Sequence, residues 1–102
     1  MELNENQNIS GTILDEEILP PPIYNVIFFN DDYTASDFVQ KVLMNIFNKN
    51  KLEAQTLISF IEKNGSSVVG SYPYDIAATK VSITIKDARE NGFPLKCKIE
   101  ES

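Results

Sequence analysis

Three consecutive prolines, Pro20-Pro21-Pro22, divide this chain. Each ring fixes φ and removes a backbone donor, and each proline also pushes the residue before it out of the helical region. A helix cannot run up to or through this point, and the triplet itself is stiff and extended. Residues 1–19 before it are dominated by Asn, Glu, Gln and Ser, with isolated apolar pairs at Ile13-Leu14 and Ile18-Leu19. That composition predicts a disordered extension. The remaining segment, 20–102, is one domain by length. With 42% hydrophobic residues in the chain it can build one small core.

The folded part divides at its turn residues. Tyr24-Asn25-Val26-Ile27-Phe28-Phe29 is rich in aromatic and β-branched residues and predicts a buried strand. Asn30-Asp31-Asp32 ends it, because these short polar side chains compete for backbone hydrogen bonds. Thr34, with Asp37 three positions on, is a helix start signal. Phe38, Val39, Val42, Leu43, Ile46 and Phe47 then recur at helical spacing, and Asn48-Lys49-Asn50 closes the helix. A second helix is expected from about Leu52 to Lys63, with Asn50 and Glu53 as a capping pair and Leu57, Ile58 and Ile61 facing inward. Asn64-Gly65 is its left-handed stop. Ser67–Ser71 reads as a short strand.

After Pro73 the signals conflict. Val81-Ser82-Ile83-Thr84-Ile85 alternates like a strand, while its flanks have helical composition and Gly92 is a natural stop. One long helix is the expectation. Leu95-Lys96-Cys97-Lys98-Ile99 alternates and predicts a closing strand with one wet face. The order β-α-α-β-α-β gives an α/β (α+β) fold, a small three-stranded sheet with packed helices.

Composition excludes most catalytic classes. With no histidine, Ser-His-Asp and Cys-His arrangements cannot exist. One cysteine, Cys97, supports neither a thiolate metal site nor an internal disulfide, and it fits a reducing compartment, with the cytoplasm as the default. No phosphate-cradling glycine loop is present. Neither metal nor cofactor is expected. The net charge of −6 disfavours nucleic acid. No apolar run approaches the roughly 18 residues of a membrane span, and Met1–Ser10 lacks the character of a secretory signal. A monomer is expected.

Asn30-Asp31-Asp32 is a compact acceptor cluster at the junction of the first strand and helix. The local pattern alone reads first as turn chemistry. A wider pattern surrounds it. Pro21-Pro22-x-Tyr24-x-Val26-x-x-x-Asn30-Asp31-Asp32-Tyr33-Thr34, continued by Phe38-Val39-x-x-Val42-Leu43, resembles the opening of the ClpS family. Gly70 followed by Ala77-x-Thr79-Lys80-Val81, then Ala88-Arg89-Glu90-Asn91 and Pro94-Leu95-x-Cys97, resembles the rest of that family over about residues 20–100.

The resemblance implies a non-enzymatic adaptor with a compact domain like the C-terminal module of ribosomal L7/L12. Such adaptors bind proteins whose first residue is bulky and apolar, signals known as N-degrons, and deliver them to the N-terminal domain of the AAA+ unfoldase ClpA of the ClpAP protease. The location would be the bacterial cytoplasm or the plastid stroma. By the same resemblance Asn30, Asp31 and Asp32 would bind the substrate's α-amine, and Glu62 stands where the family usually has histidine. The first side chain would enter a pocket of Phe28, Thr34, Ser36, Val39, Leu43, Ile58 and Ile61. Ser36 replaces a methionine common at the family's pocket rim, which implies a broader pocket. Asp75 and Lys80 would face the unfoldase, and the tail would be engaged during handover; a solvated ion pair is the plain reading of the former two. The alternatives are a non-adaptor interaction module of the same fold, such as a ribosomal-stalk-like domain, and an N-degron-reading domain related to those in eukaryotic ubiquitin ligases.

Overall fold

The computed structural model describes residues 19–102, so the expected tail lies outside the described residues except for Leu19. Strand β1 (Ile23–Phe29) is followed by helices α1 (Ser36–Asn45) and α2 (Lys51–Asn64), strand β2 (Ser66–Pro73), helix α3 (Tyr74–Glu90) and strand β3 (Lys96–Glu101). This is the expected order. The most apolar strand, β1, takes the centre of an antiparallel sheet ordered β2-β1-β3. Its alternation sorts the two faces. Val26 and Phe28 are fully buried under the helices. Asn25, Ile27 and Phe29 share the opposite face with Lys96, Lys98 and Glu100 of β3, where the Lys96 ammonium sits 5.2 Å from the Phe29 ring centre.

The pairing of β1 with β2 shifts between Val26↔Gly70 and Ile27↔Val68. Val69 is the extra residue of this bulge, and its side chain is buried in the core. Helix α3 lies against all three strands, while α2 packs on α1 and on β2. Small residues permit the close approach of α3: Ala77 and Ala88 are fully buried, as is Thr84, whose hydroxyl donates back to the Lys80 carbonyl at 2.8 Å. The alternation around Val81–Ile85 therefore resolves as helix.

Two helix ends match their local chemistry. Asn50 and Glu53 form a reciprocal capping box, Asn50 N–H to Glu53 Oε1 at 2.9 Å and Glu53 N–H to Asn50 Oδ1 at 2.8 Å. Gly65 closes α2 at φ 90°. Helix α1 differs from its expectation at both ends. Its N-cap is Ala35, whose side chain has no acceptor to offer, while the N–H and hydroxyl of Thr34 both donate to Asp31. It also stops at Asn45. The chain turns through Asn48 at φ 58°, and Phe47 is buried from the turn, edge-on to Phe28 at 5.4 Å. No described helix is long and apolar enough to cross a membrane.

Candidate functional site

The site forms where β1 leaves the sheet. The Asn30 N–H donates to the Gly65 carbonyl at 2.9 Å, which ties the strand end to the C-terminus of α2. Asp31 then organises the loop into α1. Its Oδ1 accepts from the N–H groups of Tyr33 at 2.8 Å and Thr34 at 2.7 Å, and its Oδ2 accepts from the Thr34 hydroxyl at 2.8 Å. Burial pushes the Asp31 carboxyl up, but the hydrogen bonds from Thr34 and Tyr33, helped by the charge of Arg89, outweigh it and hold the group below its usual range. Arg89 is itself fixed by donating to the carbonyls of Phe93 at 2.9 Å and Leu95 at 3.0 Å.

A cavity of about 390 Å³, counting its open mouth, lies between this loop, α1, α2 and the α3–β3 connection. Phe28, Val39, Ile58 and Ile61 give it apolar walls. Asn30, Asp31, Thr34, Ser36 and Glu62 give it a polar side. The Ser36 hydroxyl donates to Glu62 Oε2 at 3.3 Å, linking α1 to α2 at this cavity. Two carboxylates and no cationic side chain line it. The arrangement can seat an apolar group and hold a donor-rich cation beside it.

Most of the residues expected at the site meet here, and two do not. Leu43 is fully buried in the general core and does not line the cavity. Asp32 is exposed and also outside the lining, because the hydrogen-bonded turn around Asp31 directs the chain onward to Thr34. Two lining residues were missed, Phe29 and Leu95. Strand alternation assigns Phe29 to the opposite sheet face, and Leu95 was read as part of β3. The strand starts one residue later, and Leu95 is buried ahead of it. Its neighbour Pro94, which cannot donate to a ladder, was the available signal.

Asp75 and Lys80 lie apart from the cavity, on a groove shared with Ile46, Ile76, Thr79 and Ile83. They do not form the ion pair that a plain reading suggests. The Lys80 ammonium donates to the Ile46 carbonyl at the end of α1 and sits 5.7 Å from the Phe47 ring centre and 5.2 Å from that of Tyr72. Five residues apart on one helix, the two are not face neighbours, and Lys80 instead meets a free carbonyl and two aromatic rings. Among the described residues the only ion pair is Lys98–Glu100, at 3.0 Å. No group of three or more potential metal ligands occurs among them either.

Comparison with known proteins bears on this geometry. The family profile described as ATP-dependent Clp protease adaptor protein ClpS matches residues 19–98. The ATP-dependent Clp protease adapter protein ClpS of Treponema denticola is 48% identical over 101 residues, covering 99% of each chain. That of Wolinella succinogenes is 49% identical over 92 residues, covering 88% of this chain and 90% of its own. A solved structure of Agrobacterium tumefaciens ClpS2 bound to L-phenylalaninamide superposes with a TM-score of 0.78 at 34% identity, over 81% of this chain and all of that one. The profile spans residues 19–98 and the relatives match the chain at up to 49% identity, and the chain belongs to the ClpS family of Clp protease adaptors, which are not enzymes.

Proposed function

We propose that the cavity at the end of β1 captures the free N-terminus of proteins beginning with a bulky apolar residue, for delivery to a ClpA-type AAA+ unfoldase. The observation that carries this reading is the joining of apolar walls, in one cavity, to a polar rim with two carboxylates and no cationic side chain. Phe28, Val39, Ile58, Ile61 and Leu95 suit a first side chain, and Asn30, Asp31 and Glu62 suit the α-amine beside it. A related adaptor has been solved with L-phenylalaninamide, a ligand that carries both features.

An α-amine has a pKa of roughly 7.7–8.0 and is largely cationic at neutral pH. Burying one aromatic side chain is worth about 1.5–3 kcal/mol. Each hydrogen bond to a charged group adds about 1.5–3 kcal/mol, and association costs on the order of 4–15 kcal/mol. At the favourable ends of these ranges, one side chain and three such bonds leave about 8 kcal/mol, which corresponds to micromolar binding. Docking of the adaptor on the unfoldase then raises the local concentration of substrate. The groove carrying Asp75 and Lys80 is the surface we assign to that docking, with half-exposed Ile76 and Ile83 as its apolar part. Its setting is the bacterial cytoplasm or plastid stroma, and its working form a monomer.

Ser36 at the rim leaves space that a methionine would fill, so Val- and Ile-started substrates enter more readily than in a methionine-bearing relative. Ser36→Met narrows that tolerance; equal Val-to-Phe selectivity in both forms would refute it. The function as a whole is tested by fluorescence anisotropy of a labelled Phe-started peptide beside its N-acetylated form. Binding that needs the free amine supports the N-terminus reader. A folded sample that binds neither peptide favours an interaction module instead.

A further inference from the structure

The acceptor positions around the cavity are unequally committed. A carboxylate offers roughly four acceptor positions. Asp31 has three of its own filled by Tyr33 and Thr34, so its carboxylate is largely spent on the shape of its loop. Asp32 does not line the cavity. Glu62 does, and its only donor among the described residues is the Ser36 hydroxyl on Oε2.

We infer that Glu62 is the principal charge partner of the substrate's α-ammonium and that Ser36 is the residue that positions it. This rests on the N-terminus-reading function proposed above. An ammonium group brings three donors. Glu62 can receive more than one of them through Oε1 and the remaining position on Oε2, Asn30 can take another through its amide oxygen, and Asp31 keeps one position on Oδ2. Ser36 donates across from the first turn of α1 to the last turn of α2, and so limits the rotamers of an otherwise solvent-exposed glutamate. Serine at position 36 and glutamate at position 62 act as a pair: a methionine at 36 could not donate to the carboxylate, and a neutral histidine at 62 would not supply the charge.

Asp31 is the other charged residue lining the cavity with Glu62; Lys63 follows Glu62 in the chain on α2, Asp37 follows Ser36 on α1, and Arg89 of α3 acts by its charge on Asp31. With no histidine in the chain, no imidazole titrates at the site. Affinity for a free-amine peptide therefore shows no imidazole step between about pH 5.5 and 7, and it falls as the peptide amine deprotonates through roughly pH 7.7–8.0. In Glu62→His the affinity falls below about pH 6.5 as well, because an imidazolium repels the ammonium.

The test is anisotropy with the Phe-started peptide, free and acetylated, on the full chain. Glu62→Gln weakens the free-amine peptide roughly 10- to 100-fold. Glu101→Gln, an equal loss of charge at the far end of β1's pairing with β3, changes it less than about twofold. Ser36→Ala weakens it roughly two- to fivefold in the wild-type background and not at all in Glu62→Gln. If the wild type needs the free amine but Glu62→Gln behaves like Glu101→Gln, this inference is overturned and the function stands. If the folded wild type binds neither peptide, both are overturned together.

Discussion

Replacing Gly70 with alanine probes how β2 is packed. Gly70 sits opposite Val26 at the bulge, and its backbone is not in the positive-φ region, so alanine meets no dihedral penalty. The obstacle is Tyr72. A Cβ at Gly70 would lie 2.4 Å from Tyr72 Oη, 2.7 Å from Cε2 and 2.8 Å from Cζ. The tip of the ring must shift, which disturbs its tilted contact with Phe47 at 6.3 Å and its place beneath the Lys80 ammonium. An aromatic pair is worth about 0.5–1.5 kcal/mol, and a partly exposed cation–π contact about 0.5–1 kcal/mol. Added van der Waals strain raises the cost, and the lower entropy of the unfolded alanine chain offsets about 0.4–1 kcal/mol of it. The net expectation is a loss of about 1–2 kcal/mol, or roughly 4–16 °C in Tm for a domain of this size. Urea and thermal unfolding measure it. In a Tyr72→Leu background the same change should be neutral or stabilising, since the ring is gone. Peptide binding to the folded protein should be unaffected, because Gly70 does not line the cavity. A Gly70→Ala protein as stable as wild type would refute the reasoning.

Three further expectations follow from individual side chains. Asp31 has its pKa lowered in the fold, so its contribution is complete above the ordinary carboxylate value of about 3.9 and is lost as pH falls through the lower folded value. The urea midpoint of Asp31→Ala should thus lie below wild type at pH 7 and converge with it as the pH falls well below the ordinary carboxylate range; a constant gap would contradict the hydrogen-bond account. Burial pushes the Cys97 thiol up to about 12, with Arg89 pulling weakly the other way. A thiol-reactive dye at pH 8 should label it only after unfolding, and labelling at the rate of a free thiol would show the β3 packing to be wrong. Lys80→Met keeps the apolar stem but removes the bond to the Ile46 carbonyl and the two ring contacts. Calorimetry should show a loss of about 1–2 kcal/mol, so any docking defect of this variant must be read beside its stability. An unchanged Tm would make Lys80 a purely surface residue.

What was legible in the sequence was local. The Asn50–Glu53 box and the Gly65 stop work within four residues, so their spacing alone identifies them. The start of α1 lies one residue beyond its expectation: Ala35 is the N-cap, and Thr34 belongs to the loop, its N–H and hydroxyl both donating to Asp31. The aromatic and β-branched run marked β1 as a buried strand without sorting its two faces, and it could not show that Phe29 reaches the cavity where the strand ends. Leu43 shows the converse limit, because periodicity marks a residue as inward without distinguishing core from cavity wall. The long-range contacts were invisible. Nothing near Ser36 indicates Glu62, and nothing near Lys80 indicates the Ile46 carbonyl; both pairings exist only once the sheet has brought the helices together.

The most direct test of the central claim is a two-dimensional amide NMR titration with L-phenylalaninamide and, separately, with its N-acetylated form. The account predicts shifts centred on Asn30, Asp31, Ser36, Ile61, Glu62 and Leu95 for the free amine, with little change for the acetylated ligand. Equal shifts with both ligands, or shifts centred on the Asp75–Ile83 groove, would contradict it.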